Sequence, residues 1–252
     1  MVTLRELVSY TDALLDTGRF QDYCPNGLQV GGGRDVGLLV SGVTASLALV
    51  DEAIAAGADA ILVHHGYFWK GEDARITGMK RLRLKRLLET ETALLAYHLP
   101  LDAHPELGNN TQLARVLGIQ IDGTFGAAGI PDICQYGRLQ RELQAAELAA
   151  LITQRLGRTP LHVGDGRGGI RRLGWCTGAA QSWLEAAAAE ELDAFISGEI
   201  SEQTMHVARE YGIHYFAAGH HATERYGVQA LGAHLAECFA IRHRFIDIDN
   251  PV

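Results

Sequence analysis

The sequence predicts an α/β protein, organised as two similar three-layer α/β/α domains that arose by internal duplication. Three observations carry this. Short apolar runs of strand length alternate with amphipathic segments of helical period. A local pattern recurs, Val43-Thr44-Ala45 matching Cys176-Thr177-Gly178 and Asp59-Ala60-Ile61 matching Asp193-Ala194-Phe195, with 15 residues from Thr to Asp in the first copy and 16 in the second. Gly, Ala and Pro cluster between Gly123 and Pro131 and mark an expected join. The expected domains are 1–125 and 126–252.

Each element follows from local chemistry. Thr3 and Glu6 form a capping box for a first helix, with Leu4, Leu7, Val8, Leu14 and Leu15 near one face. Pro25 and Asn26-Gly27 break that pattern. Leu28 to Val30 and Leu38 to Val43 read as strands around the Gly31-Gly32-Gly33 turn. Ser46 caps a helix to Ala56, ended by Gly57. The strand Ala60 to Val63, a helix over 79–89 and the strand Ala93 to Tyr97 follow, and the last leads into a loop at Pro100 to Asp102. Asn109 and Asn110 are expected to cap a helix through Leu117. The second half repeats the grammar: strand 172–176, helix 181–191, strand 194–197, a Ser201-capped helix to Tyr211, strand 213–218, a last helix, and a strand from Phe245 to Ile248.

With 252 residues, 47% of them hydrophobic and 21% charged, the chain has the composition of a globular protein with a sizeable core. Its formal charge of −8 disfavours non-specific binding to nucleic acid or an anionic membrane surface. The start, Met-Val-Thr-Leu-Arg-Glu-Leu-Val, lacks the basic and apolar regions of a secretory signal, and no apolar run is long enough to span a bilayer. A cytoplasmic location is the expectation. Cys24, Cys134, Cys176 and Cys238 form no Cys-x-x-Cys pair and read as small buried hydrophobes.

The chemistry lies in three clusters that each follow an apolar strand: His64-His65, Asp102, and His220 with Glu224. In open α/β sheets, ligands bind beyond the carboxyl ends of the strands. Neighbouring residues on a strand point to opposite sides, so His64 and His65 more easily serve two adjacent metals than one. His220 and Glu224 are four apart and share a face if a helix begins near His221. Five side chains for two metals leave open positions for water, as in catalytic rather than structural sites. His and carboxylate ligands without thiolate suit zinc, iron or manganese, and the sequence does not choose among them. A bound hydroxide would be the nucleophile at neutral pH. His98, His104 and His206 are candidate proton shuttles, whereas His162, His214, His234 and His243 read as structural.

Other signals read more plainly. Gly164 to Gly169 lacks the Gly-Lys-Ser/Thr ending of a phosphate loop and reads as a surface turn. The basic run Lys80 to Arg86 reads as a solvated helix face. The aromatics of Tyr67-Phe68-Trp69 either cover the core or a subunit interface, or stack on a planar base beside the metals. No Gly-x-Ser-x-Gly setting supports a serine nucleophile.

Four segments, from Asp22 to Val30, from Val63 to Gly71, from His98 to Asn110 and from Ala218 to Arg225, resemble the GTP cyclohydrolase 1 type 2 homologue family, and most of all its short bacterial, YbgI-like members. The resemblance runs over nearly the whole chain and is weakest over 123–172. It implies two similar α/β domains around a dinuclear metal centre, with His64, His65, Asp102, His220 and Glu224 as ligands and two divalent ions per subunit. His221 departs from the family pattern, which often has Tyr at that position. The resemblance also implies a ring-shaped homohexamer whose metal sites face an internal cavity. The activity it implies is hydrolytic opening of the GTP imidazole ring with release of formate, so a small-molecule substrate, a nucleotide or related heterocycle, is expected. The alternative is a non-enzymatic metal-binding or scaffold protein with the same ligands.

Overall fold

The computed structural model describes residues 1–127, 130–165 and 168–252. In chain order the elements are α1 (Leu4–Leu14), β1 (Gly27–Val30), β2 (Leu38–Thr44), α2 (Leu47–Ala55), β3 (Ala60–His65), α3 (Gly78–Thr90), β4 (Ala93–Ala96), α4 (Leu99–Ala103), α5 (Asn109–Leu117), β5 (Gln120–Ala127), β6 (Ile130–Leu143), α6 (Ala145–Leu156), β7 (Leu161–Val163), β8 (Ile170–Trp175), α7 (Leu184–Ala189), β9 (Ala194–Ser197), α8 (Glu202–Tyr211), β10 (His214–Ala217), α9 (His220–Phe239) and β11 (Arg242–Phe245). The chain divides into two compact units, one of residues 1–107 and 227–249, the other of residues 108–226 and 250–252.

In the first unit the strand order is β1-β4-β3-β2-β11. β2, β3, β4 and β11 run parallel, and β1 pairs antiparallel with β4. Helices cover both faces, so the central strands are apolar at almost every position, as a parallel sheet requires. Alternation along the strands sorts their side chains. Val40, Ile61, Val63 and Leu94 pack with Leu49 and Val50 of α2 and Leu87 of α3. Leu39, Leu62, Leu95 and Tyr97 pack with Leu7 of α1 and with Val228, Leu231 and Leu235 of α9.

In the second unit the order is β5-β6-β8-β9-β10-β7, with β8, β9 and β10 parallel and the other three strands antiparallel to their neighbours. One face carries Trp175, Ile196 and Phe216 against Leu148 and Ile152 of α6 and Leu113 of α5. Phe195 and Tyr215, one residue out of phase with Ile196 and Phe216, are equally buried, as are Leu184 of α7 and Ala208 of α8.

The duplication is visible in topology and in hydrogen bonds. β1-β4-β3-β2 and β7-β10-β9-β8 have the same order and the same strand directions, and each set is preceded by a helix and connected by two more. Asp59 Oδ2 accepts from the N–H groups of Gly37 and Leu38, both at 2.9 Å, at the start of β2. Asp193 Oδ2 accepts from Arg171 and Arg172 at 2.9 and 2.8 Å, at the same place on β8. The recurrent Asp thus ties the first parallel strand of each unit to the turn entering the second.

Several sequence expectations are corrected. The stretch from Gly123 to Pro131 is not a linker: β5 and β6 pair across it, and β6 also pairs with β8, so backbone hydrogen bonding keeps both strands in the second sheet. Within that stretch Ala128 and Gly129 lie outside the described residues, as do Gly166 and Arg167 of the Gly-rich turn. The units part at Leu107/Gly108 instead, and the second boundary falls inside α9, between Tyr226 and Gly227. Asn109 and Asn110 do not cap α5, whose N-cap is Gly108. Asn110 is buried and used elsewhere: its amide donates to the Ile133 carbonyl at 2.9 Å and its oxygen accepts from Thr177 N–H at 2.9 Å. The last strand is Arg242–Phe245 rather than 245–248, fixed by parallel pairing with β2. Cys238 is exposed, unlike the other three cysteines.

Candidate metal centre

In the first unit, β3 ends in His64 and His65, and both side chains are held from behind. His64 is fully buried and its Nδ1 lies 2.9 Å from the Tyr97 carbonyl oxygen. A carbonyl only accepts, so Nδ1 carries the proton and Nε2 presents a lone pair. Nε2 faces Asp102 Oδ1 at 3.4 Å. His65 Nδ1 meets the Thr44 hydroxyl at 3.2 Å, and the two imidazole centroids are 4.6 Å apart. Asp102 is not on a loop. Pro100 sits in the first turn of the short helix α4, where its missing N–H costs nothing, and Leu101 and Asp102 N–H bond back to the His98 carbonyl at 2.8 and 3.1 Å.

His98 stands beside this pair, its ring centroid 5.0 Å from His64 and 5.7 Å from His65. Ligand-capable atoms of His64, His65 and His98 fall within 4.8 Å of one another, as do those of Asp22, Cys24 and His98. Asp22 Oδ1 holds His98 Nδ1 at 2.7 Å, and Asn26 Oδ1 accepts the His98 backbone N–H at 2.7 Å. Burial alone would raise the Asp22 pKa. The hydrogen bond and charge of His98, with donors from Asn26 and Tyr23, outweigh it and hold Asp22 down at about 2. Trp69 meets His98 edge to face at 5.0 Å and lies 6.0 Å from His65, so this aromatic borders the histidines. Tyr67, by contrast, is a core residue whose hydroxyl donates to the Ala45 carbonyl.

In the second unit, Gly219 takes φ +100°, which lets the chain turn from β10 directly into α9. His220 and Glu224 then share one face, with His220 Nε2 3.1 Å from Glu224 Oε2. Glu199, just past β9, holds His220 Nδ1 at 2.7 Å. Two glycines make room. A Cβ at Gly178 would come 2.1 Å from Glu224 Oε1, and one at Gly198 would come 2.6 Å from the His220 Cα. Burial pushes the His220 pKa down, but hydrogen bonds and charge from Glu224 and then Glu199 reverse this and raise it to about 9. His221 is buried, and its backbone N–H donates to the carbonyl of Val252 at 3.0 Å.

The donor chemistry fits a metal in both units. His64 and His220 each have Nδ1 engaged by an acceptor while Nε2 faces a carboxylate, and orienting partners of this kind are the usual supports of metal-bound imidazole. A lone pair against a carboxylate oxygen is stable only with a cation between them, either a proton or a metal. Two ligand atoms each about 2.0–2.1 Å from a tetrahedral metal lie about 3.3 Å apart. The observed spacings of 3.4 and 3.1 Å match that value.

The remaining histidines serve other ends. His104 Nδ1 accepts the N–H groups of Glu106 and Leu107, at 3.2 and 3.0 Å, and closes the turn after α4. His206 pairs with Glu202 one turn earlier on the exposed side of α8. His162 and His214 bond to each other, His234 to Tyr10, and His243 to Ser41. Sequence reading did not single out Glu199, Asp22 or Asn26. Glu199 had a signal in the repeat: it lies six residues after Asp193, as His65 lies six after Asp59.

An α/β protein with His–carboxylate sets beyond its parallel strands, able to bind metal, is the class that fold and site define. Residues 2–251 match the family model of Duf34/NIF3 (NGG1p interacting factor 3), and the chain belongs to that family. A Pseudomonas aeruginosa protein described as a GTP cyclohydrolase 1 type 2 homolog is 55% identical over 250 residues, covering 99% of each chain. Among solved structures, one described as protein ybgI of unknown function matches with a TM-score of 0.96 and 51% identity, covering both chains completely. The structure of TTHA1606 from Thermus thermophilus matches at 0.90 with 34% identity, again over the full length of both. Among the described residues, no helix is long and apolar enough to cross a membrane.

Proposed function

We propose that His64, His65, Asp102, His220 and Glu224 bind two divalent metal ions, and that the protein is a metal-dependent hydrolase of a nucleotide or related heterocycle. The observation that carries this is the twice-built arrangement of an imidazole anchored at Nδ1 with Nε2 set against a buried carboxylate. The reading also draws on the relatives described as homologs of GTP cyclohydrolase 1 type 2. Zinc, iron or manganese held there would polarise the substrate and lower the pKa of water from ~15.7 towards ~7.

The protein's own groups do the rest. Asp22 fixes the Nδ1 proton of His98, which leaves Nε2 to take a proton from water or return one to the leaving nitrogen. Trp69 shields one side of His98 and His65 and offers a rigid apolar edge beside the reacting atoms. The same reading takes the working form as a cytoplasmic, ring-shaped homohexamer.

The test is the double replacement of His64 and Glu224 by Ala, with metal content by elemental analysis and turnover across nucleotides, including damaged ones. Loss of both metal and turnover is expected. Full turnover by the metal-free variant would sink the proposal. A metal-loaded wild type that turns over none of the nucleotides or esters tried would favour a non-enzymatic metal-binding protein with the same ligands.

A further inference from the structure

The first unit carries a second group of donor atoms, away from the strand ends, where α1 meets the last turns of α9. Tyr10 Oη lies 2.8 Å from His234 Nε2 and 3.4 Å from Cys238 Sγ. Cys238 Sγ in turn lies 3.4 Å from the same His234 Nε2. Oxygen, nitrogen and sulfur from three side chains therefore converge on one spot. Tyr10 and Cys238 are exposed and His234 is half-buried, so the group opens to solvent.

The spacing suits a metal ion. His234 and Cys238 are four apart on α9 and share one face, the spacing of the paired ligands in helical zinc motifs. Around a tetrahedral zinc, a sulfur and a nitrogen or oxygen ligand lie about 3.5 Å apart. Both distances to Cys238 Sγ are 3.4 Å. The Tyr10–His234 distance of 2.8 Å is a hydrogen bond, which an ion would replace with a small outward shift of the phenol. Tyr10 is held in place meanwhile: its ring stacks on His234 at 5.9 Å and meets Phe239 edge to face at 5.2 Å. Charge points the same way. Cys238 is the last residue but one of α9, where the unsatisfied carbonyl end of a helix favours a cation. The hydrogen bond to Cys238, then partial burial, push the Tyr10 pKa up, and a cation between the two acidic groups would relieve that. Sulfur with imidazole suits zinc and disfavours magnesium and calcium, which take oxygen ligands.

We propose that Tyr10, His234 and Cys238 form a zinc-type metal site on the surface of the first unit. His234 Nε2 and Cys238 Sγ are two ligands, Tyr10 Oη is the third, and water takes the fourth position. Binding releases the thiol proton to solvent and leaves the ion on the thiolate. The ion joins α1 to α9, the first and last helices of the chain. This site shares no residue with the five ligands proposed above and does not depend on the hydrolase reading.

The experiment is a titration of the full-length protein with Co²⁺, a coloured stand-in for zinc, as wild type, Cys238→Ser, His234→Gln and Tyr10→Phe. The readout is the cobalt–thiolate charge-transfer band in the near ultraviolet. It is specific here, because the other proposed ligands include no thiolate and Cys24, Cys134 and Cys176 are buried. Wild type should show the band at micromolar cobalt, saturating at one ion per chain, and zinc should bleach it. Cys238→Ser and His234→Gln should abolish it, and Tyr10→Phe should weaken affinity about tenfold. A second measurement needs no variant: saturating zinc should slow alkylation of Cys238 by iodoacetamide about tenfold or more in the wild type. No band, a band only at millimolar cobalt (an adventitious ion only), or a band that survives Cys238→Ser or His234→Gln would each overturn the site. So would an affinity that Tyr10→Phe leaves unchanged, or an alkylation rate that zinc leaves unchanged.

Discussion

At the scale of single residues, the site depends on groups that act through a histidine. Glu199 acts on the site through His220 Nδ1, and carboxylates that orient a metal-bound imidazole in this way typically contribute about 10–100-fold in metal affinity. Glu199→Gln should therefore weaken metal binding by about 10–100-fold in a chelator competition while leaving the fold intact. Asp22 has a second measurable consequence. Its folded pKa of about 2 lies below the ordinary value, so its contribution to stability is complete above about pH 4 and is lost as pH falls towards 2. Asp22→Asn should cost about 1.5–3 kcal/mol at pH 7 by denaturant unfolding, with the gap to wild type closing below about pH 4. His98→Gln should lower kcat by about 10²- to 10⁴-fold with little change in KM, if His98 moves the proton. Residue types at strand ends made His64, His65, Asp102, His220 and Glu224 legible as candidates in the sequence. A carboxylate that only orients an imidazole carries no local pattern of its own, so Asp22 was not legible, and Glu199 was marked only by its place in the repeat, six residues after Asp193.

At the scale of elements, the repeated strand–helix–strand units were readable because both faces of each sheet are covered, which leaves apolar runs in β3, β4, β9 and β10 and shorter ones in β2 and β8. Capping chemistry located α1, α2 and α8 to within a residue or two. It failed at Asn109 and Asn110, and at Asn110 the same side-chain chemistry that caps helices is spent on long-range bonds to Ile133 and Thr177. The Asp59 and Asp193 bonds turn the faint sequence repeat into a mechanical one, since each carboxylate receives two strand N–H groups. Asp59→Ala and Asp193→Ala should each destabilise by about 1–3 kcal/mol in denaturant titrations, and the losses should add, because the bonds share no partner.

At the scale of the whole molecule, the sequence showed two α/β units but not where they part. A Gly- and Ala-rich stretch has the composition of a linker, and only strand pairing revealed that β5 and β6 belong to one sheet. The assembly expectation has a direct measurement: light scattering after size exclusion should give a mass six times that of one chain, and a monomer would refute the ring. The return of the chain to its starting unit has a further consequence. β11 aligns Arg242 with Leu38 and Phe245 with Ser41, so the first sheet waits for residues near the end of the sequence. On the ribosome, the first unit to be translated is the last that can be completed. Contacts of such high sequence separation form slowly. The nascent amino-terminal part therefore spends synthesis with one edge of β2 open, a period in which a chaperone would have the most to protect.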